Sequence, residues 1–112
     1  TGANLTGANL TDADLMGVNL TGAKLVNANL SRVKLSYSNI HEAEISGTVL
    51  KDAHLNSSKI VNSNIRDSDM TGANLYNADL TDTKVSDETL KDTVLCKTIR
   101  PSGQRDDSGC KR

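Results

Sequence analysis

The chain has 112 residues, with 13 basic and 14 acidic side chains, a formal net charge of -1, two tyrosines and no phenylalanine or tryptophan. This length suits a single domain, and the balanced charge and scarce aromatic side chains argue against direct nucleic-acid binding, which needs a basic surface and base stacking. No apolar run approaches the roughly 18 residues of a membrane-spanning helix, so no membrane insertion is expected.

From its first residue the chain repeats every five positions. Nineteen consecutive units fill residues 1–95, and each ends on an apolar side chain, from Leu5 to Leu95. The third position is small in every unit except at Glu88, and the second favours Gly, Asp or Asn. A fixed period of this kind indicates a repeat architecture.

A period of five fits neither common element. On a helix each step of five turns the apolar residue by about 140°, and on a flat strand an odd step sends alternate side chains to opposite faces. The apolar residues all point inward only if the backbone turns between units, where Gly, Asn, Asp and Ser favour turns. The sequence therefore predicts a coiled β-type solenoid whose coils hydrogen-bond to one another.

The units TGANL at 1–5, 6–10 and 71–75 resemble the motif of the pentapeptide-repeat family, over residues 1–95. The resemblance implies an all-β fold, a right-handed quadrilateral β-helix with four units per turn. Twenty residues per turn would stack two interior columns. The central column would contain Leu15, Leu35, Leu55, Leu75 and Leu95, and a second column Leu5, Leu25, Ile45, Ile65 and Val85.

The predicted outer walls mix charges of both signs. Lys24 would stack beside Glu44, and Arg32 between Asp12 and Asp52, in exposed pairs worth about 0–1 kcal/mol each. The inner hydroxyls of Ser58, Ser63 and Ser68 are expected to bond neighbouring backbone. The outward apolar residues look scattered and predict no lateral interface: Met16, Val26, Tyr37, Val49, Val61 and Tyr76.

The residues that could support chemistry do not form a catalytic set. His41 and His54 are expected to be solvated residues on different faces, and His41-Glu42-Ala43-Glu44 lacks the second histidine of a zinc-protease motif. Acidic pairs such as Asp12/Asp14 and Asp67/Asp69 would lie on a wall without a cleft, where no substrate is enclosed. No enzyme, cofactor or metal site is predicted.

The first coil enters a regular repeat without a capping segment. Leu5, Leu10, Leu15 and Leu20 would then lie at an open end. Either upstream residues cover it, or two copies of the chain meet there. We expect end-to-end association into a homodimer through this N-terminal face.

The apolar pattern stops after Leu95, where the chain reads CKTIRPSGQRDDSGCKR. Pro101, Ser102 and Gly103 form a turn signal. A solenoid needs its open end covered, both for burial and to protect strand edges. The prediction is a β-helix over 1–95 and a C-terminal capping segment over 96–112.

The two cysteines, Cys96 and Cys110, bracket the predicted cap. A disulfide there would close a loop of about 15 residues and add roughly 3 kcal/mol in the chain-entropy model. Two unpaired thiols are the alternative, and a metal site is disfavoured because no histidine lies nearby in the sequence. The placement of the cysteines predicts a disulfide.

The residues Leu95, Cys96, Thr98, Pro101 and Gly103 are also similar to the C-terminal tails of small exported pentapeptide-repeat proteins, including cyanobacterial and thylakoid-lumen members. This likeness implies an oxidising compartment. The expected location is exported, periplasmic or in the thylakoid lumen, and otherwise cytoplasmic.

Two functions follow from these observations. The leading hypothesis is a non-enzymatic structural or protein-interaction module that presents its walls to an unknown protein partner. The alternative is a DNA-mimicking inhibitor or protector of DNA gyrase, a role of some pentapeptide-repeat proteins. A DNA mimic should carry a continuous acidic face, whereas each predicted wall mixes signs, and the rod is short.

Overall fold

A computed structural model describes residues 2–110; Thr1, Lys111 and Arg112, at the ends of the two predicted regions, lie outside the described residues. Parallel β-bridges connect residues that lie 20 positions apart, from Asn4 with Lys24 to Asp79 with Ile99. One coil therefore contains four five-residue units. The chain forms a β-helix that measures 38 × 25 × 24 Å along its principal axes.

A tight turn at the start of each unit bends the coil. The N–H of Ala8 donates to the carbonyl of Leu5 at 3.0 Å, closing a turn in which Gly7 has a φ of 70°. Asp12 occupies the same place one unit later with a φ of 63°. Turns with a positive φ at the third residue favour Gly, Asn and Asp, which explains the second-position preference.

Backbone hydrogen bonds connect each coil to the next in both directions. The N–H of Leu5 donates to the carbonyl of Lys24, and the N–H of Lys24 donates to the carbonyl of Ala3, both at 2.7 Å. The pattern repeats at the fourth and fifth positions along the coils. Polar backbone groups next to the apolar interior are thereby paired, as burial requires.

The apolar fifth positions fill the interior. In the central column Leu35, Leu55, Leu75 and Leu95 are buried, and Leu15 is only partly buried because it lies in the first coil. In the second column Leu25, Ile45 and Ile65 are buried, while Leu5 and Val85 at its ends are partly buried. Alanines at the third position, such as Ala23 and Ala53, let the walls approach this core.

Hydroxyl groups replace part of the small inner layer late in the chain. Ser58 donates to the carbonyl of Leu55 at 2.6 Å, and Ser63 to that of Ile40 at 2.5 Å. Ser68 donates to the carbonyl of Ile45 at 2.8 Å. These buried hydroxyls are hydrogen-bonded to backbone, which removes the cost of burying them.

A single helical turn interrupts the last full coil. Helix α1, Asp87–Leu90, begins after Ser86, whose side chain accepts the N–H of Thr89 at 3.1 Å. Glu88 stands at the third position, where the other units have a small inward residue, but the helical turn places it in solvent, while Leu90 is buried. The coil register resumes with the bridge between Asn74 and Val94.

The β-helix extends one unit beyond the boundary drawn at residue 95. Lys97 has the positive φ of a second-position residue, at 52°, and Ile99 bridges to Asp79. Thr98 is fully buried at the third position and donates to the carbonyl of Leu75 at 2.6 Å. The apolar pattern misses this unit because Arg100 stands at its fifth position.

The remaining residues fold back onto the last coil. Strands β1, Thr98–Ile99, and β2, Arg105–Asp106, pair antiparallel in a hairpin, and the N–H of Gly109 donates to the carbonyl of Leu95 at 2.7 Å. We call residues 101–110 the C-terminal hairpin. Across residues 2–110 no helix has the length and apolar character needed to cross a membrane.

Candidate functional site

The two histidines do not assemble a reactive centre. His54 is exposed in a β-bridge between Lys34 and Asn74. His41 is half-buried rather than solvated, and its Nε2 has no hydrogen-bond partner within the described part of the chain. Neither histidine belongs to a group of potential metal ligands among residues 2–110.

The acidic pairs serve the surface and the turns. Asp12 accepts from Arg32 Nε at 2.7 Å and Nη2 at 3.2 Å, and these hydrogen bonds lower the pKa of the Asp12 carboxyl. Asp69 accepts from the Thr71 hydroxyl at 2.7 Å and its N–H at 3.1 Å, which lowers the pKa of Asp69. Asp14 accepts the N–H of Met16 at 3.2 Å. A carboxylate committed to a turn or an ion pair is a poor proton donor.

The predicted stacking of charges is partly realised as ion pairing. Arg32 pairs with Asp12, and Asp52 adds a smaller electrostatic contribution that raises the pKa of Arg32. Lys24 and Glu44 occupy adjacent coils, as expected. The Glu44 carboxylate, however, accepts from the side chain of Asn64 at 3.2 Å.

The end of the chain is held by a disulfide and an arginine. Cys96 and Cys110 are joined, as the placement of the two cysteines predicts. Arg100 donates to Asp106 at 2.5 Å and to Asp87 at 2.8 Å. The sequence did not predict this network of Arg100, Asp87 and Asp106. The signal for it is a basic residue at a fifth position, where the other units have an apolar residue, with acidic residues nearby.

Cys96, Asp107 and Cys110 bring two sulfurs and a carboxylate within 4.8 Å of one another. Both sulfurs are consumed by the disulfide. Asp107 accepts the N–H of Lys97 at 2.8 Å and Nε of Arg105 at 3.1 Å, and these hydrogen bonds lower its pKa. In the oxidised protein this cluster fastens the hairpin to the coil, and its ligand atoms are already engaged.

One wall of the β-helix gathers the exposed large apolar side chains. Asp14, Lys34, His54, Asn74 and Val94 follow one another in a continuous ladder of bridges. Beside this ladder lie two further columns. One contains residues 16, 36, 56, 76 and 96, and the other contains residues 17, 37, 57, 77 and 97. We call this wall the tyrosine face: the outward side chains of the five rows around Leu15, Leu35, Leu55, Leu75 and Leu95.

Met16, Tyr37, Tyr76 and Val94 all lie on the tyrosine face, with exposed fractions of 54%, 66%, 40% and 42%. Three of the six outward apolar residues predicted to be scattered, Met16, Tyr37 and Tyr76, therefore share one wall, and Val94 joins them there. Each wall is formed by the last residues of one unit and the first residues of the next. Residues next to Leu15, Leu35, Leu55, Leu75 and Leu95 therefore lie on the same wall. The other predicted outward residues, Val26, Val49 and Val61, are half-buried on other walls.

Few charges interrupt the tyrosine face. Asp14 lies in its first row, Lys34 in its second and Lys97 in its fifth. The ammonium of Lys97 lies 5.8 Å from the ring centre of Tyr76, within cation–π range. An open depression beside them is lined by Asn74, Tyr76, Val94, Lys97, Gly109 and the disulfide. Such a concentration of exposed apolar side chains is typical of a contact surface.

Comparisons with known proteins agree with this architecture. The family model for pentapeptide repeats matches eight copies, over residues 1–22, 13–52 and 49–87. No curated protein sequence matches the chain.

Similar solved structures are also pentapeptide repeat proteins. One from the cyanobacterium Cyanothece 51142 is 24% identical over 96% of this chain and 86% of its own, with a TM-score of 0.41. One from Nostoc Pcc 7120 is 26% identical over 80% and 82%, with a TM-score of 0.40. One from the Arabidopsis thaliana thylakoid lumen is 26% identical over 79% and 68%, with a TM-score of 0.27.

Proposed function

Since the chain belongs to the pentapeptide-repeat family, we propose that it is a non-enzymatic protein-interaction module that binds a protein partner through the tyrosine face. The observation that carries this proposal is the gathering of Met16, Tyr37, Tyr76 and Val94 on one wall. Tyrosine is enriched at interface hot spots because a large, rigid ring contributes much contact area for little lost entropy. The wall is held by the coil-to-coil ladder, so it need not be ordered on binding.

The proposed β-helix and its cap hold the tyrosine face in a fixed position. The β-helix is taken as right-handed and quadrilateral, with four units around each coil. The C-terminal hairpin acts as its cap, supported by the hydrogen bond from Gly109 to Leu95 and by the disulfide next to Leu95. A covered end keeps the last coil from pairing with other chains.

The disulfide supports an exported or lumenal location. Disulfides persist in oxidising compartments and are rare in the cytosol. Protein taken from its native source is expected to resist thiol alkylation until it is reduced. Immediate alkylation of Cys96 and Cys110 would instead place it in a reducing compartment.

Photo-cross-linking in the native source tests the interaction. Benzoylphenylalanine at position 37 is expected to capture a protein, whereas the same group at position 27 is not. Asn27 is a matched control because it is exposed, occupies the same place in its unit and has a similar φ of 59°, against 61° for Tyr37. Failure of position 37 to capture any protein above the position 27 control would overturn the proposal.

The surface charges and the N-terminal coil bear on the two other hypotheses, DNA mimicry and end-to-end association. The walls formed by residues 2–110 offer no continuous acidic surface for DNA mimicry: Arg32 pairs with Asp12, and Lys24 and Glu44 are neighbours on another wall. Gyrase supercoiling is expected to proceed normally in the presence of the protein. End-to-end association through Leu5, Leu10, Leu15 and Leu20 stays a prediction; Leu20 is buried, and the other three are partly buried.

A further inference from the structure

Two sulfurs and one carboxylate meet where the C-terminal hairpin joins the coil. The potential ligand atoms of Cys96, Asp107 and Cys110 all lie within 4.8 Å of one another, and the Cys110 sulfur lies 3.7 Å from Oδ1 of Asp107. The Cα atoms of the two cysteines are 4.8 Å apart. Two thiolates on one tetrahedral zinc ion lie roughly 3.8 Å apart, because each zinc–sulfur bond is about 2.3 Å long. The backbone therefore holds the two cysteines close enough to share one ion.

We propose that the reduced protein binds one Zn²⁺ ion through Cys96, Cys110 and Asp107, and that this ion then fastens the hairpin in place of the disulfide. Thiolates and carboxylates are both zinc ligands, and a site with three protein ligands keeps a fourth position open for water. Thiolates select Zn²⁺ or Cu(I), and the harder carboxylate favours Zn²⁺ of the two. This site is independent of the proposed protein-interaction function.

One tight turn supplies two of the three ligands. Asp107 and Cys110 are separated by two residues, and the N–H of Cys110 donates to the backbone carbonyl of Asp107 at 3.1 Å, which closes the turn. A spacing of two residues is common for pairs of zinc ligands. The third ligand, Cys96, comes from the last unit of the coil. The ion would therefore connect the hairpin to the coil, as the disulfide does.

Other contacts hold the hairpin against the coil independently of the disulfide. The N–H of Gly109 donates to the carbonyl of Leu95 at 2.7 Å, and these two residues precede the two cysteines. The approach is so close that a Cβ atom on Gly109 would lie 3.0 Å from the backbone nitrogen of Leu95. Arg100 also pairs with Asp106 of the hairpin. The two thiols therefore stay near each other after reduction, and little ordering cost opposes metal binding.

Hydrogen bonds orient the Asp107 carboxylate and leave room for a metal. The carboxylate accepts the N–H of Lys97 at 2.8 Å, and Nε of Arg105 lies 3.1 Å from each of its oxygens. A carboxylate has about four lone-pair sites, so these two donors do not exhaust it. Carboxylate ligands of metal sites are generally hydrogen-bonded in this way. Two thiolates and a carboxylate around Zn²⁺ leave one net negative charge, which the Arg105 guanidinium offsets.

The cluster is open to solvent on one side. Cys96 is 8% exposed and Cys110 is half-buried, and both contribute to the open depression that Tyr76 and Lys97 also line. A metal site needs such an entry path. Reductant and ion can therefore reach the sulfurs while the coil stays folded.

Reduction and metal binding are two balanced steps. A water-soluble phosphine gives two electrons to the bond between the sulfurs of Cys96 and Cys110 and takes the oxygen of one water molecule, becoming a phosphine oxide. The two protons of that water go to the two sulfurs. Zn²⁺ then displaces both thiol protons, which pass to the buffer. In a cell a dithiol protein would supply the electrons and would itself become a disulfide.

Titration of the full, phosphine-reduced chain with Zn²⁺ or Co²⁺, after the phosphine is removed without oxygen, tests the site. We expect one ion per chain, the thiolate charge-transfer absorption of tetrahedral Co²⁺, and the same sedimentation with and without the ion. Zn²⁺ should raise the melting temperature of the reduced chain towards that of the oxidised chain. The oxidised chain and the Cys96→Ser, Cys110→Ser double variant should show none of these effects. No binding by the reduced wild-type chain, or one ion shared between two chains, would overturn the inference.

Replacing Asp107 by asparagine tests the carboxylate. Asp107→Asn keeps an oxygen that can accept the N–H of Lys97 but removes the charge that binds the ion, so the dissociation constant for Zn²⁺ should rise at least about tenfold. Asp82→Asn is the control, because Asp82 is exposed and lies outside the cluster. If Asp107→Asn binds Zn²⁺ as tightly as the wild-type chain, the carboxylate is not a ligand and the inference fails. The melting temperature of oxidised Asp107→Asn reports whether the hairpin is intact; if it is not, the wild-type titration and the double cysteine variant decide the inference.

Discussion

The guanidinium of Arg100 donates to the carboxylate of Asp106 at 2.5 Å, at the position where each preceding unit has an apolar side chain. The Arg100 side chain is 26% exposed and that of Asp106 is 13% exposed. The strand that contains Asp106 comes from the C-terminal hairpin, so this ion pair connects the hairpin to the last unit of the coil. The ion pair therefore stabilises the end of the coil at a position where no apolar side chain is present.

Replacing Arg100 by leucine should destabilise the protein although it restores the apolar pattern. The substitution leaves the largely buried Asp106 carboxylate without its cation, and charged hydrogen bonds of this kind contribute about 1.5–3 kcal/mol. Urea unfolding followed by circular dichroism measures the loss. The control is Arg105→Leu, which breaks the exposed pair with Asp107 and should cost less than about 1 kcal/mol. Equal losses in the two variants would contradict this role for Arg100.

The free energy of unfolding should fall in acid partly because of Asp106. Hydrogen bonds from Ser108 and the ion pair with Arg100 lower the pKa of this carboxyl in the folded protein. Its contribution is therefore present above the unfolded pKa of about 3.9 and is lost as the pH falls through the lower folded pKa. Unfolding curves at neutral pH and below pH 4 should show a smaller acid loss in Asp106→Asn than in the wild-type chain. An identical acid loss in both would exclude this contribution.

Truncating the central column should cost most in its middle. Leu55 is 2% exposed, so Leu55→Ala is expected to lose about 2–5 kcal/mol through lost transfer energy and a cavity. Leu15→Ala should lose less, because Leu15 is only partly buried in the first coil. Denaturant midpoints of the two variants provide the comparison. A larger loss at Leu15 would mean that the first coil is covered in solution.

Reducing the disulfide should loosen the C-terminal end. Cys96 and Cys110 are 14 positions apart, and a loop of this length is worth about 3 kcal/mol in the chain-entropy model. Thermal unfolding with and without reductant measures the change. The Cys96→Ser, Cys110→Ser double variant should match the reduced wild-type chain. Unchanged stability on reduction would show that Arg100 and the hairpin hydrogen bonds hold the end by themselves.

Replacing Glu42 by glycine should stabilise the coil. Glu42 has a φ of 55°, which a side chain disfavours by roughly 1 kcal/mol and glycine does not. Glu44→Gly is the control, because Glu44 is in a β-bridge where glycine costs about 0.5–1 kcal/mol. Melting temperatures should therefore move in opposite directions. A decrease in both variants would indicate contacts of Glu42 that outweigh its backbone strain.

The period of five by itself determined the coiled β architecture, the apolar interior from Leu5 to Leu95 and the need for turns, because no helix or flat strand can turn every fifth side chain inward. The placement of Cys96 and Cys110 also predicted their disulfide. The boundary at residue 95 came from the same pattern and ended one unit early. An apolar criterion misses a unit whose fifth residue is an arginine neutralised by Asp87 and Asp106.

Only the tertiary structure decided how the walls are composed. The spacing within a unit does not show at which residue the chain turns from one wall to the next. Met16, Tyr37 and Tyr76 therefore look scattered when they are compared by their place in the unit, and Val94 was not recognised as an outward residue. The coil of 20 residues and the turn at the start of each unit bring them to one wall. The orientation of Glu88 was likewise decided by a local helical turn capped by Ser86. The composition of the wall depends on contacts between residues 20 positions apart, and the orientation of Glu88 depends on a helical turn that replaces the repeat conformation. A five-residue pattern contains neither kind of information.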